Sequence, residues 1–279
     1  MTVHASPADL EIKPRPLFID RDAPTPRWWL NGDPFGTAVM NALSLTFPDG
    51  ERFFIQSVKR FAKDAPPALA ADIRAFTVQE GAHTREHMAF NAITERAGYD
   101  TAEIEAYVTA RLDIARARPA LAQLAATMAL EHFTAAFAHR LLADPELLKG
   151  SPHDLARLWR WHSIEEIEHK GVAYDVFMHA ARNLSPWRRW SIRRWAMLLT
   201  TLLFTKTVRE TTLMLLKQDG ITGWKARLGL FRWLWLKPGL YRRMLGDYFA
   251  FYRPDFHPWQ VDDRDLIAEA EAGLQLQPA

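Results

Sequence analysis

Apolar residues along this chain recur mostly at spacings of three and four, and no long run alternates strictly between apolar and polar. That periodicity predicts helices throughout and no strand ladder, so the fold class read from the pattern is all-α. Residues 1–33 read as an irregular N-terminal arm. Phe35 to about Phe47 predicts a first helix, Pro48-Asp49-Gly50 a break, and Glu51 through Lys63 a second helix. Pro66-Pro67 opens a long helix to about Ala97, stopped by Gly98, and Thr101 begins the next, with Glu103 and Glu105 suited to its first turn. Ala120–Ala143 is strongly helical after Pro119. Ser151-Pro152 predicts a helix to about Asn183, with proline at the first helical position. Ser185-Pro186 predicts another to about Gln218, and a last helical stretch spans Gly223 to Phe251, interrupted near Lys237-Pro238-Gly239.

The chain has 279 residues and no cysteine. Its length allows a substantial core in one domain with an appendage. Without cysteine, disulfides, thiolate metal sites and cysteine nucleophiles are excluded, and any metal must be held by oxygen and nitrogen. Met1 to Asp22 is polar and contains no apolar run of a secretory leader, which makes a cytoplasmic location the expectation. The net charge of +2 hides an asymmetry. Residues 182–243 carry fourteen Lys/Arg against two Asp/Glu, a net of +12, which leaves −10 for the rest of the chain. Six of the eleven tryptophans fall in the same basic segment.

The acidic part carries the candidate chemistry. Glu80-Gly81-Ala82-His83 and Glu166-Ile167-Glu168-His169 are two Glu-x-x-His motifs on predicted helices. Residues i and i+3 share a helix face, so each motif can offer a carboxylate and an imidazole to one metal ion. About half of one such motif is expected by chance in a chain of this composition, so the count alone decides little. The order decides more. A two-metal site in a four-helix bundle needs one lone carboxylate from each of two helices and a Glu-x-x-His from each of the others. The chain supplies Glu51, then Glu80 and His83, then Glu131, then Glu166 and His169. Glu131 lies in an otherwise almost wholly apolar run, where an ionised carboxylate is costly unless it is paired or metal-bound. His162 extends the second motif by one turn and is a third imidazole on that face. His87 lies one turn beyond His83, on the same face. The alternatives are structural: Glu51 as a first-turn carboxylate, Glu131 paired with an arginine, the histidines as hydrogen-bonded core residues. Asp154 and Asp175 are candidates for orienting ligand imidazoles.

In this ligand set the chain resembles the ferritin-like di-iron carboxylate proteins, and His162-x-x-x-Glu166-x-x-His169 is similar to the third-histidine pattern of the p-aminobenzoate N-oxygenase family. That likeness implies Glu51, Glu80, His83, Glu131, His162, Glu166 and His169 as iron ligands. The segments Leu45–Ile55, Gln79–His87 and Trp161–Lys170 resemble a bacterial family catalogued as metal-dependent hydrolases, over most of residues 30–255. The expected architecture is a ferritin-like four-helix bundle at 34–184, a basic, Trp-rich helical extension at 185–256 packed on it, and a loose tail at 257–279.

The leading functional expectation is an oxygen-activating oxidase or oxygenase. It would use two iron ions and dioxygen on a small apolar or aromatic substrate lined by Phe53, Phe54, Phe76, Met128, Phe133 and Phe137. The alternative is a non-redox hydrolase with a metal-bound hydroxide, on manganese or zinc, in which Glu165 or His87 shuttles protons. A third reading is a metal-binding protein without catalysis. No Gly-x-Ser-x-Gly nucleophile elbow is present. Trp195–Phe204 is too short and too closely bounded by charge to span a bilayer. The basic segment 182–243 reads either as core helices with a charged outer face and buried tryptophans, or as a peripheral contact with an anionic membrane at its inner face. Basic charge alone is weak evidence for nucleic acid, so nucleic acid is not an expected partner. A small-molecule substrate, an electron-donor protein and a homodimer complete the expected partners.

Overall fold

The computed structural model describes residues 6–7, 9–17 and 19–274. Every regular element among them is helical: α1 (Pro34–Lys59), α2 (Pro67–Arg96), α3 (Ala102–Arg116), α4 (Ala120–Ala143), α5 (His153–His169), α6 (Val172–Ala180), α7 (Pro186–Gln218), α8 (Gly223–Phe231), α9 (Leu240–Ala250) and α10 (Arg264–Leu274), with a π turn at Arg232–Leu236. The fold is all-α and ferritin-like, with additional C-terminal helices. α1 pairs with α2, and α4 pairs with α5 and its continuation α6; contacts of α2 with α5 and of α1 with α4 close the four-helix bundle. α7 lies against α1 and α4, α9 against α4, and α10 against α5. No helix among the described residues is long and apolar enough to cross a membrane.

Several starts follow from local chemistry. Asp33 caps α1 by accepting from the Phe35 amide at 2.9 Å, and Ser185 caps α7 by accepting from the Arg188 amide; both helices place proline in the first turn. Three expectations are corrected. The predicted break at Pro48 is absent, because α1 runs through it. Proline removes the donor that the Ser44 carbonyl would use. Asn91 Nδ2 of α2 faces that carbonyl at 3.4 Å, and Pro48 and Gly50 are both buried, so packing carries the helix across. The single helix expected from Pro152 to Asn183 divides at Lys170-Gly171. There Lys170 Nζ leaves the bundle to reach the Val261 carbonyl and Asp263, and a Cβ on Gly171 would press on Trp259. The tail is not loose between 264 and 274: α10 buries Ile267 and Leu274 in the main core. Residues 275–279 of that expectation lie outside the described ones, as do 1–5, 8 and 18 of the arm.

Of three apolar clusters among the described residues, two meet around the polar site. One gathers Phe47, Phe90, Trp159 and Trp161; the other gathers Phe53, Phe76, Met128 and Phe177. Truncating a fully buried aromatic among them, such as Trp159 or Phe76, to alanine costs about 3–5 kcal/mol. The polar site sits where the two clusters meet, with Phe47 stacked on His162 and Phe76 edge-on to His169.

Candidate metal centre

α1 supplies Glu51, α2 supplies Glu80 and His83, α4 supplies Glu131, and α5 supplies His162, Glu166 and His169. All seven side chains are buried. Glu166 Oε1 lies 3.4 Å from His83 Nδ1, 3.1 Å from His162 Nε2 and 3.6 Å from His169 Nε2. Glu80 Oε1 is 3.2 Å from His169 Nε2 and 4.0 Å from His83 Nδ1, and Glu131 Oε2 is 3.5 Å from His169 Nε2. The ligand-type atoms of Glu51, Glu80 and His83, those of Glu80, Glu131 and His169, and those of His83, His162 and Glu166 each lie within 4.8 Å of one another. Glu80 and Glu166 thus stand between two neighbouring sets, one with Glu51, His83 and His162, the other with Glu131 and His169.

The donor atoms fit a pair of cations. Buried polar atoms are nearly always hydrogen-bonded. Yet Glu51 Oε1, both oxygens of Glu80, His83 Nδ1, both oxygens of Glu131, Glu166 Oε2 and His169 Nε2 have no hydrogen-bond partner. No Lys or Arg among the described residues pairs with any of the four carboxylates: Glu80, Glu131 and Glu166 meet imidazoles, and Glu51 meets the Thr84 hydroxyl. Burial, with Glu80 close by, pushes the Glu51 and Glu131 carboxyls well up. Burial likewise pushes Glu80 up. Burial works upward on Glu166 as well, but His169 and His162 outweigh it and hold that carboxyl well below its usual range. Burial works downward on His83 and His169, but the carboxylates against them outweigh it and both imidazoles are held well above. The cluster holds protons at positions where a divalent ion would replace them.

The atoms on the far side of each imidazole are fixed. His83 Nε2 donates to Glu165 Oε2 at 3.0 Å, which leaves Nδ1 for the centre. His169 Nδ1 donates to Gln79 Oε1 at 2.9 Å, which leaves Nε2. Gln79 is itself held, since its Nε2 donates to Glu168 Oε2 and to the Lys13 carbonyl. His162 is set by a chain of bonds. Ser44 Oγ donates to Asn91 Oδ1 at 2.7 Å, so it can only accept from His87 Nδ1 at 2.9 Å. Burial and the neighbouring His162 push His87 well down, so it is neutral and its Nε2 accepts from His162 Nδ1 at 2.9 Å. The lone pair of His162 therefore lies on Nε2, toward Glu166. Oriented imidazoles of this kind are the usual support of a metal site.

The two proton-shuttle candidates are both engaged. His87 has each ring nitrogen committed, and Glu165 stands behind His83 while accepting the Arg15 amide at 2.7 Å. Asp154 accepts from the Asp20 amide, and Asp175 binds Ser6 and His257, so neither meets a ligand imidazole. The orienting groups are Gln79, Glu165 and His87 instead. Glu51 is positioned by Thr84 Oγ1, which donates to its Oε2 at 2.9 Å. Sequence reasoning missed Gln79, Thr84 and Ser44, and the support that Lys13 and Arg15 of the arm give behind the centre. Only Gln79 left a trace, one residue before a ligand on the same helix. Arg15 joins Glu168 to Glu271 of α10, and its carbonyl accepts from Trp161 Nε1 at 3.0 Å.

A cavity of about 950 Å³ reaches Phe47 from the side of α7, α8 and α9, lined by Val39, Leu43, Phe133 and Phe137 among others. A smaller one of about 130 Å³ is lined by Glu51, Phe53 and Phe54, and shares Phe47, Thr134 and Phe204 with the first. Of the residues expected to line a pocket, Phe133 and Phe137 face the large cavity and Phe53 and Phe54 the small one, while Phe76 and Met128 belong to the core beside the centre.

A family model described as a predicted metal-dependent hydrolase matches residues 13–262. No curated protein and no solved structure matches the chain.

Proposed function

The chain belongs to the predicted metal-dependent hydrolase family, and from that premise we propose that it is a dinuclear metal-dependent hydrolase acting on a substrate with a long apolar part. Glu51, Glu80, His83, Glu131, His162, Glu166 and His169 would hold the two ions. The observation that carries this reading is the convergence of unpartnered carboxylate and imidazole atoms from six of these residues in one buried volume. Two divalent ions bound there would supply Lewis acidity and activation of water.

The chain's own residues do the rest. Gln79 and Glu165 hold the outward protons of His169 and His83, so the inward nitrogens keep their lone pairs. Ser44 and His87 do the same for His162. Phe47, Phe76 and Trp161 wall the imidazoles and exclude bulk water, which strengthens every charge interaction inside. The two cavities supply apolar binding up to Glu51. Hydrolysis then adds water across an acyl bond: the acyl carbon gains the oxygen, and the leaving oxygen takes the proton.

A second reading is oxygen activation on iron, with dioxygen as co-substrate and an electron-donor protein. Its support is the ligand chemistry, four glutamates and three histidines in a dry aromatic setting. Elemental analysis, with optical spectra in air and after anaerobic reduction, tests both readings. Two ions per chain with metal-dependent cleavage of long-chain esters without oxygen is the expected result. Two irons, a near-ultraviolet band that bleaches on reduction and returns with oxygen, and no esterase activity would replace hydrolysis by oxygen activation. Absence of metal after metal-replete expression would defeat both.

A further inference from the structure

α7 is apolar on two faces: Met197, Val208, Leu215 and Leu216 are buried against the protein, and a second apolar stripe faces away from it. Its inward face carries Thr200, Thr207, Thr211 and Thr212, all buried, and three of these hydroxyls return to backbone carbonyls of their own helix. Its outward face carries Trp195, Leu199 and Leu202, respectively 62%, 55% and 60% exposed. A helix packed on a core normally turns its apolar stripe inward. The outward stripe continues onto Trp224 and Phe231 of α8 and Phe249 of α9. Twelve of the seventeen large apolar side chains exposed among the described residues lie between Trp187 and Phe249. An apolar patch of this extent marks a contact surface.

The same elements carry the positive charge. Lys206, Lys225, Arg227 and Arg232 are exposed and form no ion pair among the described residues. The nearby anions are committed: Glu210 to Arg209, Asp219 to Arg27, Asp247 to Arg140. The cavity of about 950 Å³ opens in this face, because Leu202, Lys206, Arg227 and Phe231 line it while being exposed, and its inner end is Phe47 against His162.

We propose that the α7–α9 face docks on an anionic lipid bilayer, with the cavity mouth against the hydrocarbon, so that substrate enters as an acyl-chain amphiphile. The entry of substrate rests on the metal-site reading above; the docking does not. Charge selects the occupant. A second copy would place a +12 segment against itself, and like charges disfavour that contact. Nucleic acid would answer the cations but not the leucines. Anionic headgroups over hydrocarbon answer both, with Trp and Arg at the boundary they favour.

Flotation of the full chain with vesicles tests the docking. Binding should be at least about tenfold tighter to phosphatidylcholine with about 30% phosphatidylglycerol than to phosphatidylcholine alone, and should weaken with salt. Trp195→Ser with Leu199→Ser removes apolar contact without adding charge, and neither residue lines either of the two cavities above. That variant should lose about tenfold or more in vesicle binding with helix content and metal content unchanged. No vesicle binding by the wild type, or equal binding by the variant, overturns the proposal. So does a concentration-dependent dimer in gel filtration that the variant abolishes, since a second copy would then own the face. Metal content in the same samples separates the failures: absent metal with intact flotation defeats only the site. Val39→Phe, at the buried end of the cavity, should weaken binding of dodecyl phosphate about tenfold while flotation is kept. Unchanged binding of that probe overturns entry through the cavity.

Discussion

The bundle and the helices laid over it depart from the usual division of polar and apolar residues in opposite ways. Between α1 and α5 the chain buries four carboxylates and four imidazoles, His87 among them, in one volume. Between α7 and α9 it buries threonines beside Met197, Leu215 and Leu216, and exposes a further set of leucines and tryptophans. Both arrangements cost free energy in an isolated chain in water, since buried charge and exposed apolar area are each unfavourable. Each therefore points to something the chain is built to meet: cations for the interior, an apolar and anionic surface for the exterior. The surroundings separate the two. The interior cluster is over-determined by bonds from behind, through Gln79, Glu165, His87 and Thr84, whereas the exterior stripe is held only by the helix that carries it.

Removing an interior ligand should break the comparison most. Glu131→Ala or His169→Ala is expected to release metal and lower activity at least about a hundredfold, with little change in helix content by circular dichroism. Retention of two ions by both variants would remove these residues from the centre. Next in size is the support behind the ligands. Glu165→Gln, which weakens the acceptor for His83 Nε2, should reduce metal affinity about 10–100-fold in a chelator competition; unaltered affinity would leave Glu165 a bystander.

Stability against pH sharpens the same contrast. The Glu131 carboxyl is raised well above 4.5 in the folded chain without metal. It therefore stays protonated on folding at pH values where the unfolded chain has lost that proton, and its contribution to stability declines as pH rises above 4.5. Metal-free Glu131→Gln, which carries no proton to hold, should be more stable than the metal-free wild type at neutral pH by about 1–3 kcal/mol. The gap should close toward pH 4.5, and metal should reverse it in favour of the wild type. Thermal melts with and without metal read all three, and a gap that widens in acid would contradict the assignment. The smallest stability effect belongs to the outer stripe. Trp187→Ser, at a side chain 71% exposed, should change stability by less than about 0.5 kcal/mol. A loss of several kcal/mol there would mean that the tryptophan packs on the protein itself.

Much of the fold and site was legible where a local rule acts alone. Proline followed by helix-period residues located the starts of α2, α4 and α7, and the alternating order of lone glutamates and Glu-x-x-His motifs singled out six side chains that the fold gathers, with His162 added one turn before Glu166. Pro48 misled because the donor it lacks is made good from another helix. The break at Lys170-Gly171 was hidden because its cause, Asp263 and Trp259, lies about ninety residues away in a segment whose acidity suggested a loose tail. Arg15 carried no signal, since a single arginine between prolines acquires its role only when Glu165, Glu168 and Glu271 are brought beside it.

By itself the sequence determined the helical class, the four segments that carry the candidate ligands and the separation of acidic from basic charge, because periodicity, capping and residue spacing act within a few turns of chain. The tertiary structure decided which nitrogen of each imidazole faces the centre, which carboxylates stand between two candidate ligand sets, and which leucines of α7 look outward, Leu199 and Leu202, while Leu215 and Leu216 are buried. Those outcomes depend on partners supplied across the bundle, by Ser44, Gln79 and Glu165 on one side and by the threonine face of α7 on the other, and no local stretch of sequence contains both halves of such a contact.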